Sequence, residues 1–215
     1  MDQPQASRVI SPKGIPSEEE VGPPTIMASY PHWQYFLALE SDLEETGRYV
    51  EFHRDNFTAY SIEFARLLLT ACSEIDVVAK LLCKSLNQDT SADDITQYRS
   101  EIMQAYPQFP TIKVFIHRYA LLREPWHAWG QGKSPDWWHT HNKVKHQRDL
   151  HFPGANLQNA LDSVAGLWCL LLYFYKDALF SRQLKPLPKL FHLEKEPGYL
   201  MLEQNYELPD LPKRG

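Results

Sequence analysis

The chain has few of the residues that mark disulfide-rich or redox-active proteins. It contains three cysteines in 215 residues, Cys72, Cys83 and Cys169, and none has a second cysteine at the spacing of a Cys-x-x-Cys motif. All three lie within apolar segments of helical periodicity. An odd number of cysteines in such positions predicts buried, reduced thiols in a cytoplasmic protein.

The sequence also lacks a long apolar run. The longest, at residues 164–175, is well short of the roughly 20 residues that cross a bilayer, and it predicts a buried core helix with no membrane span. The first thirty residues contain no apolar segment of the kind found in signal peptides. A net charge of −5 argues against a general nucleic-acid coat protein, but it leaves room for a local basic site.

Motifs for phosphate loops, nucleophilic triads and metal sites are missing as well. The segment Gly-Gln-Gly-Lys-Ser at 130–134 lacks the full spacing of a phosphate-binding loop. Histidines are concentrated in one region, at His139, His141, His146 and His151. Their spacing does not match the helical pair and distant acid of zinc hydrolases. We therefore predict no cofactor and no metal.

Composition divides the chain into three parts. Residues 1–28 are rich in Pro, Ser, Glu and Gly without any period, which predicts a disordered tail. Residues 29–182 carry helical patterns and predict an all-α, up-and-down helical bundle. Residues 183–215 form a C-terminal extension. Its two short apolar runs, 190–193 and 199–202, flank a Pro-Gly turn and predict a small β-hairpin.

The helical patterns predict the elements of the bundle. Apolar residues at helical spacing indicate five helices, at 31–47, 57–86, 91–106, 134–150 and 156–180. Thr58 or Ser61 is the expected cap of the second helix, and Asn87 its expected end. The fifth helix is apolar nearly all round and should lie at the centre. Residues 111–122 alternate in polarity, which favours a strand but also suits irregular chain packed by its aromatic residues.

A carboxylate on the second helix, Glu74, is expected to be half buried between apolar neighbours. A half-buried carboxylate requires a partner. A structural ion pair is the simpler interpretation, since such pairs are common, and a role in ligand binding is the alternative.

The most distinctive segment is 137–148. It includes two tryptophans, three histidines, the carboxamide of Asn142 and three cations: Trp137, Trp138, His139, His141, Asn142, Lys143, Lys145, His146 and Arg148. Residues three and four apart share one face of a helix. On that spacing Asn142 lies beside His146, while Lys145 and Arg148 lie on the adjacent line.

These residue types suit RNA cleavage without a metal. An imidazole such as that of His146 transfers protons near neutral pH, so it can act as the general base or acid. Lys145 and Arg148 can stabilise the developing negative charge, and Asn142 can orient a phosphate oxygen. Five further residues are candidate binding residues: His141, Lys143, Trp137, Trp138 and Glu74.

The stretch from Asn142 to Arg148, Asn-Lys-Val-Lys-His-Gln-Arg, precedes a long apolar helix and resembles the HEPN superfamily. With Trp-Trp before it and Leu-Gln-Asn-Ala after it, the pattern is similar to a bacterial HEPN-like group. The resemblance covers residues 57–180. His146 matches the His of the family motif, and Asn142 matches the polar residue that follows the motif Arg. The Arg position itself falls on His141, which is a departure from the family.

The resemblance implies a four-helix bundle, commonly prokaryotic. It implies a ribonuclease of a toxin–antitoxin, abortive-infection or other defence system, acting on RNA alongside a partner protein such as an antitoxin. It also implies a homodimer in which both motifs face one cleft.

Two other interpretations of the segment stay open. In the first, His146 and Arg148 are structural, with His146 bonded to Glu74, Lys145 solvated, and Trp137 and Trp138 closing the bundle. In the second, the protein is a noncatalytic module that binds RNA, a nucleotide or a partner protein. The nearby tryptophans, including Trp126 and Trp129, can either stack bases or form a satellite core, and the latter is the commoner arrangement.

Overall fold

The computed structural model of the chain describes residues 29–193 and 208–211. The predicted N-terminal tail and the second run of the predicted hairpin, 199–202, lie outside the described residues. The described part is mainly helical, as predicted, but it also contains a three-stranded antiparallel sheet. The all-α prediction is therefore wrong in that respect, while the helical core is confirmed.

Eight α-helices occur in the described ranges. They are α1 (Pro31–Thr46), α2 (Ile62–Leu86), α3 (Ile95–Ala105), α4 (His127–Gly130), α5 (Asp136–His146), α6 (Arg148–His151), α7 (Leu157–Phe174) and α8 (Lys176–Phe180). The long helices α2 and α7 share the largest helix–helix interface, and α1, α3 and α5 pack around α2. Apolar side chains from all five form one continuous core.

Helix α2 starts later than its apolar pattern predicts. Ser61 caps it by accepting a hydrogen bond from the Phe64 amide at 3.0 Å, and Asn87 ends it as predicted. The preceding residues do not join the helix: 57 and 58 lie in a turn and Tyr60 forms a bridge with Asn156. The carbonyls of Phe57 and Ala59 accept hydrogen bonds from amides at the start of α7. These bonds supply partners to helix-end donors that would otherwise have none.

Helix α7 forms the centre of the molecule. Asn156 caps it through the Asn159 amide, and nearly every residue along it is buried. Within the described part of the chain it is the single helix long and apolar enough to cross a membrane, yet 83% of it is buried inside the protein. That burial is typical of a core helix. The predicted helix to residue 180 is interrupted at Tyr175 and continues as the short α8.

The three strands are β1 (Val114–Ile116), β2 (Leu121–Arg123) and β3 (Phe191–Leu193), in the order β2-β1-β3. The alternating segment 111–122 thus contains a strand, as the pattern favoured. β3 falls in the first run of the predicted hairpin and pairs with β1. The C-terminal extension therefore joins the same core as the bundle through Leu184, Leu190, Phe191 and Leu208.

The three cysteines are buried and free of disulfides, as predicted. Burial raises the pKa of all three thiols, to about 12 for Cys83, so the thiols remain protonated at neutral pH.

Candidate functional site

Helix α5 separates the distinctive segment into a buried and an exposed face. Trp137, Trp138, His141 and Val144 point into the protein. The exposed side chains of the segment are His139, Asn142, Lys143, Lys145, His146 and Arg148. The separation follows helical periodicity, which places the apolar residues of α5 on one stripe.

The tryptophans of this region are core residues. Four of them are at least 92% buried: Trp126, Trp129, Trp137 and Trp138. The Trp126 ring contacts the rings of Trp129 and Trp137, and the Trp137 ring contacts that of Trp138. The Trp126 indole donates to the Gly166 carbonyl at 3.0 Å, and the Trp137 indole donates to the Pro125 carbonyl. Trp137 and Trp138 therefore present no free face for a base, which corrects their prediction as binding residues. The satellite-core interpretation was the better one.

His141 is also buried rather than available to a ligand. Its ring lies against Trp138 with 5.4 Å between ring centroids, and its Nδ1 makes no hydrogen bond in the structure. Burial lowers the pKa of His141 to about 4, helped by the charge of Lys145, while Asp76 and Asn142 act weakly in the opposite direction. His141 is thus a neutral core histidine at physiological pH, and its prediction as a binding residue is corrected.

We expect the buried His141 to make stability depend on pH. Between its ordinary pKa of 6.5 and its folded pKa of about 4, the unfolded chain takes up a proton that the folded one does not. The free energy of unfolding should therefore fall by about 3 kcal/mol as the pH decreases through this window. Urea denaturation from pH 7 to pH 4.5 measures the fall.

The matched variants for this prediction are His141→Leu and His139→Ala. Leucine is similar in size to histidine and cannot be protonated, so most of the fall should disappear in His141→Leu. His139→Ala, which removes an exposed histidine, should show the same fall in the free energy of unfolding as wild type. An equal fall in wild type and His141→Leu would assign the pH dependence to other groups.

Glu74 pairs with His32 and not with His146. Its Oε1 lies 2.6 Å from Nδ1 of His32 on α1, and both side chains are largely buried. This pair links α1 to α2, so Glu74 serves the structural role that was the simpler interpretation. Bonding of His146 to Glu74, which the structural alternative required, does not occur.

The exposed residues of the segment form what we call the α5 basic surface: Asn142, Lys143, Lys145, His146 and Arg148. Among the described residues, none of its three cations forms an ion pair, and His146 makes no hydrogen bond. The chain as a whole is acidic. This surface therefore carries concentrated positive charge around an accessible imidazole.

The predicted continuous helix to residue 150 is interrupted within the motif. Gln147 adopts φ −143° and ψ 58°, which ends α5 at His146 and starts the short α6 at Arg148. The predicted helical alignment of Arg148 with Lys145 is therefore corrected. Asn142 and His146, four residues apart within α5, do share one face.

A buried ion pair near this helix was not found by the sequence reasoning. Arg123 on β2 donates from Nε and Nη2 to the two carboxylate oxygens of Asp162 on α7, each at 2.6 Å. Phe57 lies 4.7 Å from the guanidinium. The one signal in the sequence was Asp162 itself, a carboxylate inside the most apolar helix. Its partner lies 39 positions away, and no local pattern points to it.

Chemically, the α5 basic surface can bind an anion and transfer a proton. It provides one imidazole, one carboxamide and three cations to solvent, and such groups bind and polarise phosphodiesters. Within the described ranges, no group of three or more His, Cys, Asp or Glu side chains is placed to hold a metal ion.

Comparison with known proteins finds no family model, no curated protein and no solved structure that matches the chain. What the fold and the site define is a helical protein with a small antiparallel sheet and a basic, histidine-containing surface at the end of one core helix.

Proposed function

We propose that the protein is a HEPN-like, metal-independent endoribonuclease of a prokaryotic defence or stress system. His146 acts as the general base or acid, Asn142 orients the phosphate, and Lys145 and Arg148 stabilise its charge. Lys143 adds to the attraction for RNA. The observation that carries the proposal is the exposed His146, surrounded by cations that have no partner within the described part of the chain.

The reaction requires little beyond these groups. A base removes the proton of the ribose 2′-hydroxyl, and the 2′-oxygen attacks the adjacent phosphorus while the bond from phosphorus to the 5′-oxygen breaks. The leaving 5′-oxygen takes up a proton, so the products are a 2′,3′-cyclic phosphate and a 5′-hydroxyl, and cations stabilise the charge that develops on the phosphate oxygens. An exposed imidazole at a helix end is accessible to a single-stranded or looped RNA, whereas a buried one is not. The helical core built on α2 and α7 supports the proposal, because the resemblance to HEPN proteins implies a helical bundle.

We further propose that the protein acts as a homodimer, with the two motifs facing one cleft. Three exposed large apolar side chains bear on this proposal: Leu150 follows the motif in the chain, and Tyr60 and Ile62 lie at the start of α2. The Tyr60 ring packs edge-on against Phe152, which connects the segment before α2 to the segment after α6. Exposed apolar residues beside a basic surface suit a protein interface. The free thiols support a cytoplasmic location.

The test is an RNA cleavage assay in EDTA, with tRNA and a pool of structured RNAs as substrates. We expect wild type to cleave and His146→Ala to be slower by about 100-fold or more, the usual contribution of a general base or acid. His139→Ala is the matched control, since His139 is an exposed histidine on the same helix outside the motif. It should cleave as wild type does, and both variants should melt at the wild-type temperature.

Two results would contradict the proposal. Wild-type rates in His146→Ala would remove His146 from the mechanism. No cleavage by wild type, under conditions where a known ribonuclease works, would exclude catalysis on these substrates.

The second candidate is a noncatalytic HEPN-like binding module for RNA, a nucleotide or a partner protein such as an antitoxin. One observation favours it: His141, which stands where the family motif has Arg, is buried and neutral. This candidate predicts RNA binding without turnover, lost when Lys143 and Lys145 are replaced together.

A further inference from the structure

A polar cleft lies at the opposite end of α5 from His146. We call it the α5 cleft, and its volume is about 440 Å³. Six of its lining residues matter here: Arg54, Arg123, Asp136, Gln158, Asn159 and Asp162. They come from four separate elements, so the cleft exists only in the folded chain. Its volume lies in the range of sites that bind small molecules.

The inner wall of the cleft is rigid. Arg123 and Asp162 hold each other through two hydrogen bonds, and both side chains are less than 15% exposed. Both oxygens of Asp162 are thereby occupied, so they are not available to a cation. Trp137 lies behind this wall, only 2% exposed, and is fixed by its bond to the Pro125 carbonyl. A preorganised wall lowers the entropic cost of binding.

The outer wall carries hydrogen-bonding groups without partners. Within the described ranges, the guanidinium of Arg54 and the carboxylate of Asp136 form no ion pair or hydrogen bond, and neither does the side-chain carboxamide of Gln158. Asn159 donates to the Gly154 carbonyl at 2.8 Å, which fixes its side chain and leaves its amide oxygen free. The cleft thus offers one cation, one carboxylate and two carboxamides that have no ion-pair partner, beside Glu124, which pairs with Lys113 at 4.0 Å, and His127, which bonds to Gln131.

We propose that the α5 cleft binds one nucleotide of the RNA substrate, at the opposite end of α5 from the site of cleavage. Arg54 holds its phosphate, and Asp136, Gln158 and Asn159 bond to the edge of its base. Guanidinium groups bind phosphate oxygens, while carboxylates and carboxamides pair with the donors and acceptors of bases. This inference rests on the proposed ribonuclease function and names a substrate contact for it.

The position of the cleft fits a single RNA path. Asp136 is the first residue of α5 and His146 the last, so they lie about 15 Å apart along the helix axis. A short RNA segment spans that distance. A cation lies near each end of α5: Arg54 lines the cleft, and Lys145 lies beside His146. An extended polyanion such as RNA can contact both of them.

The experiment combines binding and kinetics on the full chain. The probes are the four nucleoside 5′-monophosphates, the corresponding nucleosides and inorganic phosphate, titrated by calorimetry. We expect at least one nucleotide to bind, and Arg54→Ala to weaken it about tenfold, as loss of one charge-assisted contact does. Asp136→Asn should change the preference among bases. The control Arg48→Ala, an exposed arginine outside the cleft, should change neither. In RNA cleavage, Arg54→Ala should raise KM and leave kcat unchanged.

The outcomes separate this inference from the proposed function. Cleavage that depends on His146, with nucleotide affinity and KM unaffected by Arg54→Ala, would overturn the cleft as a substrate site and keep the ribonuclease. Nucleotide binding that depends on Arg54, without any RNA cleavage, would keep the cleft as a nucleotide site and overturn the ribonuclease. Inorganic phosphate binding as tightly as nucleotides would overturn base recognition.

Discussion

Replacing Arg123 with methionine should lower the free energy of unfolding by about 4 kcal/mol at pH 7. The change leaves the Asp162 carboxylate inside the protein without the two hydrogen bonds that now satisfy it. A buried charge without a partner is among the most destabilising defects in a folded protein, and the loss is a large part of a typical total stability. Urea denaturation followed by circular dichroism measures it.

The control is the double variant Arg123→Met with Asp162→Leu. Removing both charges exchanges the ion pair for apolar packing, so the double variant should recover most of the lost stability. The single variant should also lose less at pH 5 than at pH 7. Burial raises the pKa of Asp162 while Arg123 opposes the rise, so without Arg123 the carboxyl is protonated more readily. Equal stability of single variant and wild type would mean that the pair is not buried in solution.

Replacing Glu40 with alanine should cost about 3 kcal/mol. Glu40 is 3% exposed, and its carboxylate accepts hydrogen bonds from the amides of Lys189, Leu190 and Phe191 at 3.0, 2.8 and 3.4 Å. These bonds attach the start of β3 to α1. Alanine leaves buried backbone donors without an acceptor, which costs the full desolvation of each. Thermal and urea unfolding both report the loss.

Two variants sharpen this test. Glu40→Gln retains one oxygen acceptor and should lose less than Glu40→Ala. Glu45→Ala removes an exposed carboxylate from the same helix and should stay within about 0.5 kcal/mol of wild type. Hydrogen exchange at Leu190 should accelerate in Glu40→Ala alone. Slow exchange there in Glu40→Ala would show that other contacts hold β3.

The main helices were predictable because their signals are local. The apolar stripe of α2, the Ser61 cap and the Asn87 end lie within one stretch of chain, and the same holds for α7. The ends that differed have distant causes. Residues 57–60 stay outside α2 because the carbonyls of Phe57 and Ala59 bond to the start of α7, roughly a hundred positions later in the chain. Helical periodicity carries no information on such a partner.

The candidate site was likewise predictable only where its signals are local. The sequence identified the segment that carries the exposed His146 and its cations, because the clustering of these residue types is visible without a fold. It did not show that Trp137, Trp138 and His141 are buried. Trp137, for example, packs against Trp126 and Gly166, which come from other parts of the chain. The sequence also did not single out Arg54 and Arg123, because the cleft that they line exists only in the folded chain.

By itself, the amino-acid sequence determined the positions of the long helices, the buried thiols and the basic segment 142–148. Those features depend on residue type and short spacing. Tertiary structure decided which side chains of the segment remain accessible, the pairing of β3 with β1, and the partners of Glu40, Glu74 and Asp162. Each of these depends on bringing together residues that are far apart in the chain, where burial determines the partner that a polar group requires.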